Sequence, residues 1–425
     1  MKNHQTRLNW LYMIILALAF MGCEPEEELG IDGGISAPSF GPLCEVAADC
    51  EAGEECESGA CARRSDADEN LRYLRFGSGQ VTTAGTTKLT VKVPAGSVSF
   101  ALVLDGNGDA DVLANRIEAP SGTLAFDMND SDSKNFSEQH ILPYTVVVPN
   151  HPSVTMEAGK WELNLLATED VEVTATALIQ TAEQDTQTLS ARVILVLSDD
   201  QDLDATSAAE NPEFQALLNG VADVFSQAGI QFSVVETLGV DADQATEYGV
   251  LDSIDGENSE LAQLLRLGGD TDDRVINLFF VEDIAVGSGR TRIAGVSGGT
   301  PGPPTFNGTG RSGVAINLSS FLADPTDIEA TVITTAHEVA HFLGLFHTSE
   351  KNGGGEDSEG FDHLADTPQC EIGNDANGNS LLSVEECSDA DGFNLMFWTA
   401  ASAPIDNIRL TEDQGVVLRK NPMVH

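Results

Sequence analysis

Apolar residues between positions 71 and 179 come in short runs, several of them alternating with polar residues and all of them bounded by turn formers. Runs at 88–93, 98–104, 144–148, 161–166 and 171–178 read as strands, and their spacing predicts an antiparallel β-sandwich over 68–185. After a polar link near 181–188 the pattern changes. A strand at 192–197, a helix at 213–228 and strands at 231–237, 275–281 and 313–318 alternate as in an α/β sheet covered by helices. Residues 328–344 read as a further helix, with Asp324 or Thr326 near its start and Gly344 at its stop, and Leu410-Thr411-Glu412-Asp413-Gln414 opens a last one.

The 425 residues are 41% hydrophobic, enough chain and apolar mass for two or three domains. Charge narrows the partners. Against 68 Asp and Glu stand 21 Lys and Arg, a formal −47, so a phosphate backbone is repelled and nucleic acid is excluded as the main partner. Bound divalent cations would offset part of that self-repulsion, although most of the acids read as solvated surface.

The chain opens with Lys2 and Arg7, runs apolar from Trp10 to Met21, and reaches Phe20-Met21-Gly22-Cys23, an export signal over 1–22 too short to span a bilayer. The segment resembles the lipobox of bacterial lipoproteins, which implies that Cys23 is lipidated and tethers the chain to the cell envelope. Glu24 is not the aspartate of inner-membrane retention, which favours the outer membrane. A plain secretory signal and a secreted protein are the alternative. Residues 23–42 have the composition of a flexible linker. Lipidation of Cys23 leaves six of the seven cysteines, a number that pairs completely. Cys44, Cys50, Cys56 and Cys61 crowd into the segment 43–62, where two disulfides are the expected source of order, in any of three pairings, with zinc as the competing reading. Asp105-Gly-Asn107-Gly-Asp109-Ala-Asp111 resembles the Gly-Asp-Ala-Asp signature of bacterial pre-peptidase C-terminal-type jelly-roll domains, and reads equally as a calcium site or as a tight turn.

The strongest signal is His337-Glu338-Val339-Ala340-His341, continued by Phe342-Leu343-Gly344-Leu345-Phe346-His347. Two imidazoles four residues apart share a helix face and reach one tetrahedral zinc, and Glu338 stands beside the first, able to take a proton from an attacking water. A glycine at 344 allows a sharp turn that returns His347 as third ligand. This H-E-x-x-H-x-x-G-x-x-H run, followed by Thr348, resembles the metzincin clan of zinc endopeptidases and within it the pappalysin-type (M43) family. The resemblance implies a metzincin-like α/β catalytic domain over 188–425, with a twisted mixed sheet, a zinc helix and a small C-terminal subdomain, acting on protein or peptide substrates. It also implies a methionine turn beneath the histidines, for which Met396 in Asn394-Leu395-Met396-Phe397-Trp398 is the candidate. Trp398 occupies the position at which some metzincins carry a tyrosine.

Between the zinc helix and Met396, residues 350–391 hold twelve Asp or Glu and a single Lys. Asp375, Asn377, Asn379, Ser383 and Glu386, with the carbonyl of Leu381, follow the ligand spacing of an EF-hand calcium loop, except that Ser380 stands where glycine is usual. Cys370 and Cys387 flank it and would close its ends. His363 reads as an outer neighbour of the centre or as part of the substrate rim, because a catalytic zinc keeps a position open. Ser297 lies in a nucleophile-elbow string, but the prolines that follow exclude the helix such an elbow requires. Asn307-Gly-Thr309 matches a glycosylation acceptor that a bacterial lipoprotein leaves idle. The leading expectation is a zinc endopeptidase. The rival is a non-catalytic surface adhesion or binding lipoprotein that works through its sandwich and Cys-rich segments. No latency device is legible, and residues 24–190 stand open to removal as a pro-region.

Overall fold

A computed structural model of the chain describes residues 40, 42–64, 70–106, 108, 110–129, 140–182, 186–199, 201–269, 271, 273–289, 291–353 and 362–425. Cys23, the export signal and nearly all of the linker lie outside the described residues, as do Asn107 and Asp109.

The chain folds as a mixture of helices and several sheets tied by three disulfides. Its N-terminal strands are β1 (Glu55–Glu57), β2 (Ala60–Arg64), β3 (Leu71–Arg75), β4 (Gly79–Val81), β5 (Thr87–Val93), β6 (Ser99–Gly106), β7 (Val112–Glu118), β8 (Leu124–Asp127), β9 (Tyr144–Val148), β10 (Gly159–Ala167) and β11 (Val171–Gln180). They form two antiparallel sheets. One runs β1-β2-β3-β11-β6-β9, with β4 also on β11; the other runs β5-β10-β7-β8. The two share a core in which Phe100 of the first meets Trp161 of the second edge to face, 5.7 Å between ring centres. The Cys-rich segment is not a separate knot. Its hairpin β1-β2 continues the first sheet through pairs such as Cys61 with Arg75, pinned by Cys44–Cys56 and Cys50–Cys61. Of the three possible pairings the structure has this one, although the hairpin register sets Cys56 opposite Cys61.

Burial along these strands shows what lies outside the sheets. In β5 buried and exposed residues alternate, as expected for a sheet wetted on one face. All five residues of β9 and the first six of β6 are buried. Their second face, with Leu71, Tyr73, Ala101, Val103, Val147 and Leu178, receives Phe306 of the C-terminal half. At the same junction Gln180 Nε2 and an Arg274 guanidinium nitrogen both donate to the Val424 carbonyl, at 3.3 and 2.8 Å.

The C-terminal strands are β12 (Gln187–Val196), β13 (Ile230–Gly239), β14 (Val250–Leu251), β15 (Val275–Val281), β16 (Asp283–Ala285), β17 (Thr291–Arg292), β18 (Gly295–Ser297) and β19 (Val314–Asn317). The main sheet is ordered β13-β12-β15-β19-β18, parallel except for β18, which runs antiparallel to β19 at one edge; β14, β16 and β17 make a small second sheet. Helices α1 (Pro212–Ser226) and α2 (Glu329–Leu343) contribute to the core beside this sheet, and α3 (Glu412–Lys420) closes the chain. Helix α1 starts on an Asn211 side-chain cap and α3 on a Thr411–Gln414 capping box. Helix α2 departs from expectation: Ile328 stands at its start without a side-chain cap, and Asp324 instead accepts from Thr326 within the preceding turn.

Candidate metal centre and active-site cleft

Helix α2 is buried along nearly its whole length and ends at Gly344, whose φ of 111° lies in the left-handed region that favours glycine. The chain then folds back, and the turn fixes the imidazoles. His341 Nδ1 donates to the Leu345 carbonyl at 2.8 Å, His337 Nδ1 to the Leu395 carbonyl at 2.7 Å, and His347 Nδ1 to Glu350 Oε1 at 2.6 Å. A carbonyl oxygen only accepts, so His337 and His341 carry their hydrogens on Nδ1 and turn the lone pairs of Nε2 inward.

Ligand atoms of the three rings lie within 4.8 Å of one another, and His337 Nε2 is 3.1 Å from His347 Nε2. Burial pushes His337 down to about 3, helped by His347, and holds His341 well below the ordinary histidine range. Ring nitrogens converging at that distance need a proton or a cation between their lone pairs. A set of three nitrogen donors, each oriented by an oxygen on its far side, suits zinc.

Glu338 follows His337 on α2 and faces β18. A Cβ built on Gly295 would stand 2.6 Å from Glu338 Cγ and 2.8 Å from Thr334 Cγ2, so only glycine lets the strand pass this closely. Burial pushes the Glu338 carboxyl up to about 7, against the opposing pull of His347 and a backbone hydrogen bond from Ser297. Its ordinary value of 4.5 would leave it a poor proton acceptor at neutral pH.

Met396 is fully buried in the core that also holds Val339, Ala340 and Leu343 of α2. Its turn is pinned from both sides: Asn394 Oδ1 accepts from Met396 N at 2.8 Å, and the Asn394 amide exchanges two hydrogen bonds with Gln414 of α3, at 2.9 and 3.0 Å. Trp398 Nε1 donates to the Leu382 carbonyl at 2.9 Å, so this side chain is tied to the acidic loop.

That loop is closed by Cys370–Cys387. Glu386 Oε1 accepts from the backbone of Ala376 and Asn377 and Oε2 from Ser383; Asp375 accepts from Gly378 and Ser380; Asn377 and Asn379 accept two residues on. Ser380 takes a left-handed φ of 64° where glycine was missing. Leu381 is exposed. The expected calcium ligands thus share one turn, already ordered by backbone donors. His363 contributes its backbone carbonyl, which accepts from His151 Nε2 at 2.9 Å. Ser297 Oγ donates to the Gly299 carbonyl, and Asn307 is buried and donates to Thr271 and the Asp273 carbonyl.

Sequence reasoning missed Glu350, Gly295 and the carbonyls of Leu345 and Leu395. Only Glu350 left a trace, an acid three residues beyond the third histidine.

A three-histidine centre with an adjacent glutamate, under the edge strand of a mixed sheet, has the make-up of a metallopeptidase cleft. Residues 271–400 match the family model of the M43 peptidases, described as pregnancy-associated plasma protein-A, which supports an M43-type metallopeptidase segment. The chain is also similar to extracellular metalloprotease 1 of Coccidioides posadasii, 30% identical over 129 residues, which cover 29% of this chain and 42% of that one; the match thus spans less than half of the relative's length. Among solved structures, a Bacillus subtilis protein aligns at 12% identity over 52% of each chain with a TM-score of 0.12. A family two carbohydrate esterase from Cellvibrio japonicus aligns at 12% identity over 54% of this chain and 68% of that one, with a TM-score of 0.15. Likeness at that level carries no argument about the fold.

Proposed function

We propose that the chain is a zinc-dependent endopeptidase acting on protein or peptide substrates, with His337, His341 and His347 as metal ligands and Glu338 as general base and acid. The observation that carries the proposal is the convergence of the three histidines, each backed by an oxygen, beside a glutamate whose carboxyl is pushed up to about 7. When bound, zinc supplies Lewis acidity toward the scissile carbonyl and the attacking water. Glu338 takes a proton from that water and passes it to the leaving amine, a double task suited to a carboxyl that titrates near neutrality. Strand β18 has one partner, β19, among the described strands, and its other edge is suited to receive an extended substrate as one more strand. Met396 floors the centre and Gly344 makes the turn.

The N-terminal sheets are read as a β-sandwich of the jelly-roll kind, and Cys23 as a lipid anchor in a bacterial envelope, probed by mass spectrometry of the mature N-terminus. Calcium held by Asp375, Asn377, Asn379, Ser383, Glu386 and the Leu381 carbonyl belongs to the same reading; metal analysis that finds no calcium lost on replacing Asp375 and Glu386 removes it. The protease itself is tested with labelled peptide or casein, with and without a zinc chelator. Cleavage should stop with the chelator and return with zinc. Cleavage that persists in metal-free protein refutes the proposal.

A further inference from the structure

Loop 149–153 leaves β9, the strand buried on both faces, and carries His151 to the back of the metal centre. His151 is itself buried, with 8% of its surface exposed. Its Nε2 donates to the His363 carbonyl at 2.9 Å. With the hydrogen on Nε2, Nδ1 accepts from Ser153, whose backbone N–H stands at 3.1 Å and hydroxyl at 2.7 Å. All of these bonds suit one neutral tautomer, so the ring has a single orientation.

The ring shares a cavity with the turn that carries the proposed metal ligands. One small cavity is lined by Asn150 and His151 from the N-terminal region, by Gly344 and Leu345 from the end of α2, and by Asp362 and Leu364 beyond it. Leu345 supplies the carbonyl that orients His341, and the same turn delivers His347. A second tie holds segment 362–367 to α3, where Asp413 N donates to Asp366 Oδ2 at 2.9 Å. Within the segment, Thr367 Oγ1 donates to Asp362 Oδ1 at 2.5 Å. The segment is therefore clamped between α3 and His151, with the turn 344–346 beside it.

We infer that His151 is a positioning residue for the metal centre: from the sandwich it fixes segment 362–364 against the turn 344–346, and so holds His341 and His347 in ligating geometry. The inference rests on the zinc reading above and extends it, because it makes the sandwich a working part of the peptidase. Residues 140–182 are then retained in the active protein and are not a removable pro-region.

The test uses the full zinc-loaded chain, with His151→Ala, His151→Gln and His151→Phe, at a temperature well below unfolding. Zinc release to a chromogenic chelator is followed together with kcat, KM and Tm. Groups that orient metal ligands from behind change metal affinity by about 10- to 100-fold. His151→Ala should release zinc at least about tenfold faster and lower kcat with KM nearly unchanged. His151→Gln, which keeps a donor for the His363 carbonyl and an acceptor for Ser153, should restore both. A lowered Tm with zinc release and kcat at their original values overturns the inference, as does a glutamine variant no better than the alanine one. Should His151→Ala fail to fold, His151→Phe, which fills the space without a donor or an acceptor, decides: faster zinc release supports the role and unchanged release overturns it. If the parent protein holds zinc yet cleaves nothing, the peptidase reading fails while zinc release still judges His151.

Discussion

Replacing Gly295 by alanine perturbs the proposed base without touching any metal ligand. Gly295 has an ordinary negative-φ backbone, so alanine adds no backbone strain; what it adds is a carbon 2.6 Å from Glu338 Cγ, where ordinary contact starts at 3.4 Å. Either the Glu338 side chain or β18 must yield by roughly 0.8 Å. Thr334, at 2.8 Å on the same side, blocks a simple sideways escape. Misplacing a reacting group by about 1 Å costs on the order of a hundredfold in rate, so kcat should fall by about ten- to a hundredfold. The assay is steady-state cleavage of a labelled peptide, with zinc content and Tm measured on the same samples. Zinc should stay at one per chain, since the three histidines are held by Leu395, Leu345 and Glu350. A folded, zinc-loaded Gly295→Ala protein with kcat within twofold of the parent would refute the close passage of β18 over Glu338.

Three further outcomes follow from the same contacts. Glu350→Ala removes the acceptor 2.6 Å from His347 Nδ1 and should weaken zinc binding by about 10- to 100-fold, read by competition with a chelator. Glu386 titrates below its ordinary range because backbone donors from Ser383, Asn377 and Ala376 favour the carboxylate. A depressed carboxylate contributes stability above its unfolded pKa and loses it as pH falls through the folded value. Amide protection of Ala376, Asn377 and Ser383 should therefore be lost on acidification as Glu386 takes up its proton, and Glu386→Gln should show the loss already at pH 7. Asn394→Ala leaves the buried Gln414 amide without two hydrogen bonds and should lower unfolding free energy by about 1–3 kcal/mol in denaturant titration.

The cluster of three histidines could be read from the chain because its geometry is local: His337 and His341 are one helical turn apart, and Gly344 announces the turn that returns His347. The principal strands were likewise visible, since each is a short apolar run with turn residues at its ends. What escaped depends on contacts between distant segments. No spacing rule links His337 to the Leu395 carbonyl, Asn394 to Gln414, or His151 to the His363 carbonyl, which lie 58, 20 and 212 residues apart. Strand β18 is three residues long, too short for periodicity, and its weight comes from its place at the sheet edge. The Cys-rich hairpin was read as its own segment because four close cysteines dominate it, whereas its backbone pairing with β3 leaves no mark in composition. The unbroken burial of β9 and of the first six residues of β6 reports a second covered face, and the sequence alone does not say what covers it.

The most direct test of the account is peptide cleavage by Glu338→Gln beside a zinc determination on the same preparation. The prediction is one zinc per chain and turnover reduced by at least about a hundredfold, because proton transfer by a positioned side chain contributes roughly 10²–10⁴ in rate. A Glu338→Gln protein that keeps its zinc and cleaves at the parent rate would contradict the account at its centre.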